Sequence, residues 1–178
     1  MPTSTVDLWQ TIATEAQAES RLWRDALRPV DEREAEAAFS PLGELRYALG
    51  LETIYEGYLA HYGRPRLFAP ADPDTSLLLG DYLYAHGLVR VAEVGTVEAV
   101  ADLAELISLC AQLRADEQPG DGAAWAASAA LLGTALLGDA RAALREDGDF
   151  QPLLALAREE AGPAAVERAL AAHDRRLR

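Results

Sequence analysis

Apolar residues recur along most of this chain at the three- and four-residue spacing of an amphipathic helix. In the stretch 97–117, acidic residues lie on one stripe, and Leu103 and Ile107 lie largely opposite. The stretch 77–94 is apolar nearly all round, which predicts a helix buried on more than one face. The same pattern predicts helices over 6–27, 31–38, 42–62, 123–145, 152–160 and 163–174. We therefore predict an all-α protein, a bundle of about seven or eight helices in one domain over residues 1–178.

Glycine and proline mark where these helices end. Pro29 closes the first helix, since proline cannot continue the backbone hydrogen bonds. The run Gly63-Arg64-Pro65 ends the third, because glycine accepts the C-cap conformation. Gly95 interrupts the helical pattern, and Thr96 is placed to cap the next helix. The helix over 123–145 carries very small side chains, so neighbours can approach closely and it should be a central packing element.

Composition supports the helical prediction and limits the partners. Half of the residues are apolar, and alanine, leucine, glutamate and arginine, all good helix formers, dominate. The net charge is −13, and all 16 basic residues are arginine, with no lysine. Such an acidic surface repels nucleic acid and anionic lipid, so we expect neither as a partner. No lysine is present to hold a phosphate.

The single cysteine and the hydropathy pattern predict a cellular location. Cys110 cannot form an internal disulfide and has apolar neighbours, so we predict a core residue in a reducing cytoplasm. Residues 1–20 lack the cationic-then-apolar pattern of a secretion signal. The longest uncharged run, 122–138, is slightly short for a bilayer and predicts a buried helix. We expect a cytoplasmic protein without membrane insertion.

The sequence Leu-Leu-Leu-Gly-Asp-Tyr-Leu-Tyr-Ala over 77–85 resembles the Gly-Asp helix of trans-isoprenyl (polyprenyl) diphosphate synthases. The likeness continues through 99–117 and 127–140, and Gly63-Arg64-Pro65 is similar to the Arg-Arg-Gly-x-Pro turn of that family. The spacing from Gly63 to Gly80 also agrees. The resemblance covers about residues 50–140 and implies a truncated bundle similar to the isoprenoid synthase fold.

The alignment places the first Asp-Asp-x-x-Asp motif of the family on Glu52-Thr53-Ile54-Tyr55-Glu56. In active members this motif holds magnesium, which prefers compact oxygen ligands. Here Thr53 replaces the middle acid, and Glu52 and Glu56 share one helix face. Two interpretations stay open: a vestigial motif of two solvated acids, which we favour, or a weak magnesium site.

The other diphosphate-binding groups of the family are also replaced. The two arginines before the turn glycine become His61 and Tyr62, and the Lys-Thr pair falls on Asp121 and Gly122. No Asp-Asp pair exists anywhere in the chain to supply the second Asp-rich motif. A synthase must stabilise the departing diphosphate electrostatically. We therefore predict no catalytic residue, no metal site and no cofactor.

In the family that the chain resembles, the Gly-Asp helix and the next helix form much of the dimer interface. Some bacterial long-chain enzymes pair a catalytic subunit with a short non-catalytic one, and this chain is similar to the latter. The resemblance implies a regulatory small subunit of a heterodimeric polyprenyl diphosphate synthase, in the isoprenoid synthesis that supplies quinone side chains. The expected interface residues are Leu79, Asp81, Tyr82, Leu83 and His86.

Other functions stay open beside this one. The chain can be a stand-alone isoprenoid-binding pseudoenzyme, with Tyr55, Tyr58, Leu77 and Leu78 as the wall of an apolar ligand site. It can be a homodimeric scaffold protein, or a residual enzyme that uses magnesium. Tyrosines at helical spacing are more often packing residues than ligand contacts. The three histidines are far apart in sequence and show no zinc-binding spacing.

Overall fold

The computed structural model describes residues 7–177 of the chain. Within that range it contains nine α-helices, three short 3-10 turns and no β-strand longer than an isolated bridge between Leu27 and Phe68. The all-α prediction is confirmed. The helices are α1 (Leu8–Glu19), α2 (Arg21–Ala26), α3 (Ala48–Tyr62), α4 (Pro73–Val94), α5 (Val97–Ala115), α6 (Asp121–Ala130), α7 (Gly138–Asp147), α8 (Gln151–Ala161) and α9 (Pro163–Leu177).

The N-terminal third differs most from the sequence prediction. The single helix predicted over 6–27 is wrong: Ser20 is extended and its hydroxyl caps the Trp23 amide, which separates α1 from α2. The helix predicted over 31–38 is also wrong, since only Val30–Glu32 forms a 3-10 turn. Backbone amides on either side of this turn donate to carbonyls of the segment after α3, so they do not form the bonds of a local helix. The Glu34 amide, for example, donates to the Arg66 carbonyl.

Two further helices are shorter than predicted. The helix expected over 42–62 begins at Ala48, after 3-10 turns at Ser40–Leu42 and Leu45–Tyr47. The helix expected over 123–145 is two helices, because Gly133 and Ala135 have φ of 78° and 60° in the turn between them. A right-handed helix cannot pass through residues with positive φ.

The predictions for α4, α5, α8 and α9 are confirmed to within a few residues at each end. Gly95 and Thr96 end α4 and cap α5 as expected, with the Thr96 hydroxyl accepting from the Ala99 amide. Cys110 of α5 is buried in the core, as predicted. Within residues 7–177, no helix combines the length and the apolar character needed to cross a membrane.

Helix α3 is central, and α4 packs against it more extensively than any other pair of helices does. The two backbones approach so closely that a Cβ atom on Gly87 would lie 3.1 Å from the Gly50 carbonyl oxygen. Helix α6 forms the other centre of packing, with most of its alanines and Trp125 buried among α5, α8 and α9. Although α6 is short, the central role predicted from its small side chains is confirmed.

Candidate functional site

Glu52 and Glu56 of α3 lie inside the protein, only 1% and 0% exposed. The prediction that they are solvated is therefore wrong. Their partner is Arg66, whose Nη1 donates to Glu52 Oε2 at 2.6 Å and whose Nε donates to Glu56 Oε2 at 2.9 Å. The Leu67 amide donates to the second Glu56 oxygen at 2.7 Å. We call Glu52, Glu56 and Arg66 the buried ion cluster.

Arg66 makes further contacts beyond those with the two glutamates. Its Nη1 also donates to the Glu36 carbonyl at 2.8 Å, and its guanidinium stacks on the Trp9 ring at 4.6 Å. Burial alone would lower the pKa of Arg66, but the charges and hydrogen bonds of Glu52 and Glu56 raise it above its usual value. The cluster therefore carries a permanent internal cation.

This arrangement does not suit a magnesium ion. A metal would have to replace the guanidinium of Arg66, which occupies an oxygen of both Glu52 and Glu56. Between residues 7 and 177, no group of three or more His, Cys, Asp or Glu residues is placed to hold a metal ion. The donor set that the sequence suggested is thus already used by a protein cation, and no reaction step can be derived through a metal here.

Thr53, at the middle position of the altered motif, belongs to a polar network that links three helices. Its hydroxyl donates to the Leu49 carbonyl at 2.6 Å and accepts from Nη1 of Arg90 on α4. The Nη2 of Arg90 donates to Glu15 of α1 at 2.6 Å, and His86 lies 2.8 Å from the same oxygen. Burial would raise the pKa of Glu15, but the contacts with His86 and Arg90 lower it overall. These polar contacts fasten α1 to the α3–α4 pair.

The residues expected at a partner interface lie on different sides of α4. Leu79 and Leu83 are buried within the chain, so they offer no surface to a partner, which corrects the expectation for these two. Tyr82 is half-buried and stacks on Trp23 at 5.3 Å. His86 is partly covered because it contacts Glu15. Asp81 alone among the five is largely exposed.

The exposed side of α4 nevertheless carries apolar residues. Leu78 and Val89 are each 54% exposed, and both lie on one helical stripe with Ala85, Ala92 and Asp81. We call these five residues the outer face of α4. It extends for about 21 Å at 1.5 Å per residue. Helix α4 packs against both α3 and α5, as expected of a helix buried on more than one face, but its outer face is exposed in the described chain.

The four residues proposed for an apolar ligand wall do not surround one space. Tyr55 and Tyr58 pack edge-on against Trp125, with ring centroids 5.1 Å and 5.6 Å away, in the interior of the core. Leu77 and Leu78 are instead more than half exposed on α4. The tyrosines are packing residues, and the leucines belong to the surface.

Sequence reasoning missed a polar cluster in which both tyrosines take part. The Tyr55 hydroxyl lies 2.9 Å from His173 Nδ1, and His173 Nε2 lies 3.4 Å from Asp121 Oδ2. Asp121 accepts from Tyr58 and from Arg114, and Arg114 Nε donates to the Tyr58 hydroxyl at 3.0 Å. No spacing in the sequence indicates it, because the members come from α3, α5, α6 and α9.

The protonation states in this cluster favour a structural role. Burial would raise the pKa of Asp121, but the neighbouring His173, the hydrogen bond from Tyr58 and the charge of Arg114 hold it well below its usual value. Burial, together with Asp121, raises the pKa of Tyr58 far above neutral. A hydroxyl that keeps its proton in this way is a poor nucleophile. The cluster fastens four helices together.

His61 aligns with an arginine of the family that the chain resembles, but it lacks the positive charge needed to bind a diphosphate. Its ring lies in the space above Gly80, where a Cβ atom would come within 2.3 Å of Nε2. Burial lowers the pKa of His61, and Asp81 at 3.3 Å offsets this only partly. The neutral imidazole therefore predominates at neutral pH.

Comparisons of this chain with known protein families, with curated proteins and with solved structures find no match.

Proposed function

We propose that this protein is a non-catalytic subunit that binds a catalytic polyprenyl diphosphate synthase through the outer face of α4. One observation carries the proposal: the helix that resembles the family's interface helix exposes apolar residues, Leu78 and Val89 among them, along one stripe. Large apolar side chains grouped on an exposed helix face are typical of protein–protein contacts. The family of the partner rests on the sequence resemblance.

The described side chains support a non-catalytic role. Stabilising a departing diphosphate requires cations that face the ligand. Arg66, Arg90 and Arg114 are each paired with acidic side chains of this chain. Glu52 and Glu56, which align with the magnesium-holding positions of the family, are paired with Arg66 in the buried ion cluster. We infer that the subunit acts in the cytoplasm by supporting the fold of its partner and by shaping the tunnel that limits product length.

The chemistry of the outer face also indicates what the partner presents. Asp81 interrupts the apolar stripe, and Glu93 lies exposed near its C-terminal end. A matching partner helix offers apolar side chains opposite Leu78 and Val89, with Arg or Lys near the two acids. The overall charge of −13 would accelerate the encounter with such a surface.

Co-expression with a complete polyprenyl diphosphate synthase from the same genome tests the proposal. The two chains are expected to co-elute in size-exclusion chromatography, and the variant Leu78→Glu/Val89→Glu is expected to abolish co-elution. Val30→Glu/Leu45→Glu is a matched control, because these residues are also exposed but lie outside α4. If the wild-type chains elute separately and the synthase is fully active alone, the proposal fails.

A second copy of this chain is the competing occupant of the outer face. Symmetric pairing through α4 would bury Leu78 and Val89, but it would also bring the acids of two chains with a net charge of −13 together. Sedimentation of the isolated protein distinguishes a synthase partner from a second copy. A stable homodimer that Leu78→Glu/Val89→Glu disrupts would favour the homodimeric scaffold protein. The filled core around Trp125 weighs against the isoprenoid-binding pseudoenzyme.

A further inference from the structure

A second apolar surface lies far along the chain from α4, in the groove between α7 and α8. Ala140, Pro152 and Leu156 form its floor, and Leu136 and Ala155 lie at its edges. Its volume is 420 Å³. We call it the α7–α8 groove. None of the residues discussed for the outer face of α4 takes part in it.

The turn before α7 places Leu136 at the edge of this groove. Leu136 is 61% exposed, whereas Leu137 beside it is 1% exposed. The preceding residue, Ala135, has φ of 60°, a left-handed conformation that is unfavourable for a residue with a Cβ atom. The turn therefore adopts an unfavourable backbone conformation directly before a leucine that lies in solvent.

The shape of the groove suits a protein segment better than a metabolite. Its volume is within the usual range of small-ligand sites, but such sites enclose roughly 70–90% of the ligand surface. Here Leu136 and Ala155 are exposed, and the groove is open between two helices. An amphipathic helix that lays its apolar side chains into a groove needs only this kind of one-sided cover.

Charge identifies the kind of segment. Asp139 of α7 and Glu159 of α8 line the groove and are exposed, and neither forms an ion pair with another residue in the range 7–177. A second copy of this acidic chain would bring like charges to that edge. A basic helix would place its cations beside two carboxylates that have no partner among those residues.

We propose that the α7–α8 groove binds an amphipathic helix of a partner protein. The apolar side chains of that helix fill the floor, and its Arg or Lys residues face Asp139 and Glu159. This binding does not depend on the proposed function, because no residue of α4 takes part in it.

A stapled synthetic helix of about 16 residues, with a leucine stripe flanked by arginines, serves as the probe. Its fluorescence anisotropy is measured against the full chain, beside a matched peptide in which glutamates replace the arginines. The arginine peptide is expected to bind saturably and roughly tenfold or more tighter than the glutamate peptide. Leu136→Ser is expected to weaken binding about fivefold or more, because it removes an apolar contact.

Matched variants separate groove binding from general attraction to an acidic protein. Leu45→Ser removes another exposed leucine and leaves the charge unchanged, so binding should stay at the wild-type level. Glu159→Gln is expected to weaken binding about two- to fivefold, whereas Glu160→Gln, which removes the neighbouring exposed carboxylate, should have little effect. Leu78→Glu/Val89→Glu should leave peptide binding unchanged, which keeps this test distinct from that of the α4 face.

Several results would overturn the inference. These are the absence of saturable binding, equal binding of the two peptides, and equal weakening by Leu136→Ser and Leu45→Ser. A wild-type dimer that becomes monomeric on Leu136→Ser in sedimentation would assign the groove to a second copy and would also reject the proposal. Circular dichroism of each variant checks that the helical content is kept.

Discussion

Helices α3 and α4 pack against each other, yet they place charge and apolar surface in opposite ways. Helix α3 buries two glutamates, Glu52 and Glu56, in the interior. Helix α4 leaves Leu78 and Val89 more than half exposed. Each helix departs from the ordinary rule that apolar residues lie inside and charged residues outside.

The difference follows from what each helix finds opposite it. The glutamates of α3 meet Arg66, so the cost of removing them from water is offset by two ion pairs and by hydrogen bonds. The outer face of α4 is left largely exposed by the rest of the described chain, apart from the contact of Asp81 with His61 of α3. Neighbours rather than residue type decide burial here, and each departure can be tested by changing the neighbour or the residue.

Removing the cation from the buried ion cluster should have the largest effect. Arg66→Met leaves two buried carboxylates unpaired, and it is expected to lower the free energy of unfolding by about 3–5 kcal/mol in urea titration. Arg64→Met is the control, because Arg64 is exposed, and it should change stability by less than about 0.5 kcal/mol. Adding Glu52→Gln and Glu56→Gln to Arg66→Met should restore part of the loss. If Arg66→Met lowers the free energy of unfolding by less than about 1 kcal/mol, Arg66 does not offset the burial of the two glutamates.

Two adjacent leucines test whether α4 really has one covered and one open face. Leu79 is 0% exposed, so Leu79→Ala should lower the free energy of unfolding by about 2–5 kcal/mol. Leu78 is 54% exposed, so Leu78→Ala should lower it by less than about 1 kcal/mol. Equal losses in thermal or urea unfolding would show that both faces are covered in solution.

The close approach of α3 and α4 can be broken at Gly87. A Cβ atom there would lie 2.4 Å from Ile54 Cγ1 and 3.1 Å from the Gly50 carbonyl oxygen. Gly87→Ala should therefore lower the free energy of unfolding by about 1–2 kcal/mol, since overpacking exceeds the gain in helix propensity. Gly138→Ala, which meets nothing within 4 Å, should be neutral or slightly stabilising. A stabilising Gly87→Ala would mean that the helices lie further apart.

The smallest expected effect concerns Asp121, the carboxylate that Tyr58 of α3 contacts. Asp121→Asn should lower the free energy of unfolding by about 1 kcal/mol at pH 7, because asparagine keeps some of the hydrogen bonds. The pKa of Asp121 is depressed in the folded state, and its unfolded value is about 3.9. Its contribution is therefore complete above about pH 5 and is lost as the pH falls towards the folded-state pKa.

Urea titrations at several pH values between about 7 and 3 check this prediction. The difference between wild type and Asp121→Asn should shrink as the pH falls below about 4. Asp174→Asn changes an exposed carboxylate next to His173 and should show little difference at any pH. A difference that grows in acid would reverse the assigned sign and reject the interpretation of the cluster.

Much of the fold could be predicted because its signals are local. Helices α4, α5, α8 and α9 follow from apolar periodicity and from breakers such as Gly95 and Thr96. The predictions were wrong for segments whose backbone groups bond to residues far away in the sequence and not to their local neighbours. The amide of Glu34 bonds to the Arg66 carbonyl, and in the turn that contains Ala135 the Gly133 amide bonds to Asp102 of α5.

The candidate site was harder to predict, because its partners are joined only by folding. The sequence placed Glu52 and Glu56 on one helix face, but the cation between them comes from the segment after α3. Tyr55 and His173 are 118 positions apart and still make a hydrogen bond. Periodicity shows which residues share a face, and it gives no information about which residue from elsewhere will meet them.

The position of Cys110 makes the opening of the core measurable. It is 1% exposed in α5, and burial raises the pKa of its thiol. The thiolate is the reactive form, so a thiol reagent should label the folded protein only during openings that bring this side chain to water. Because the chain has one cysteine, the mass gained over time reports how readily this single site becomes accessible. A partner that stabilises the folded state should slow the labelling in proportion to its occupancy.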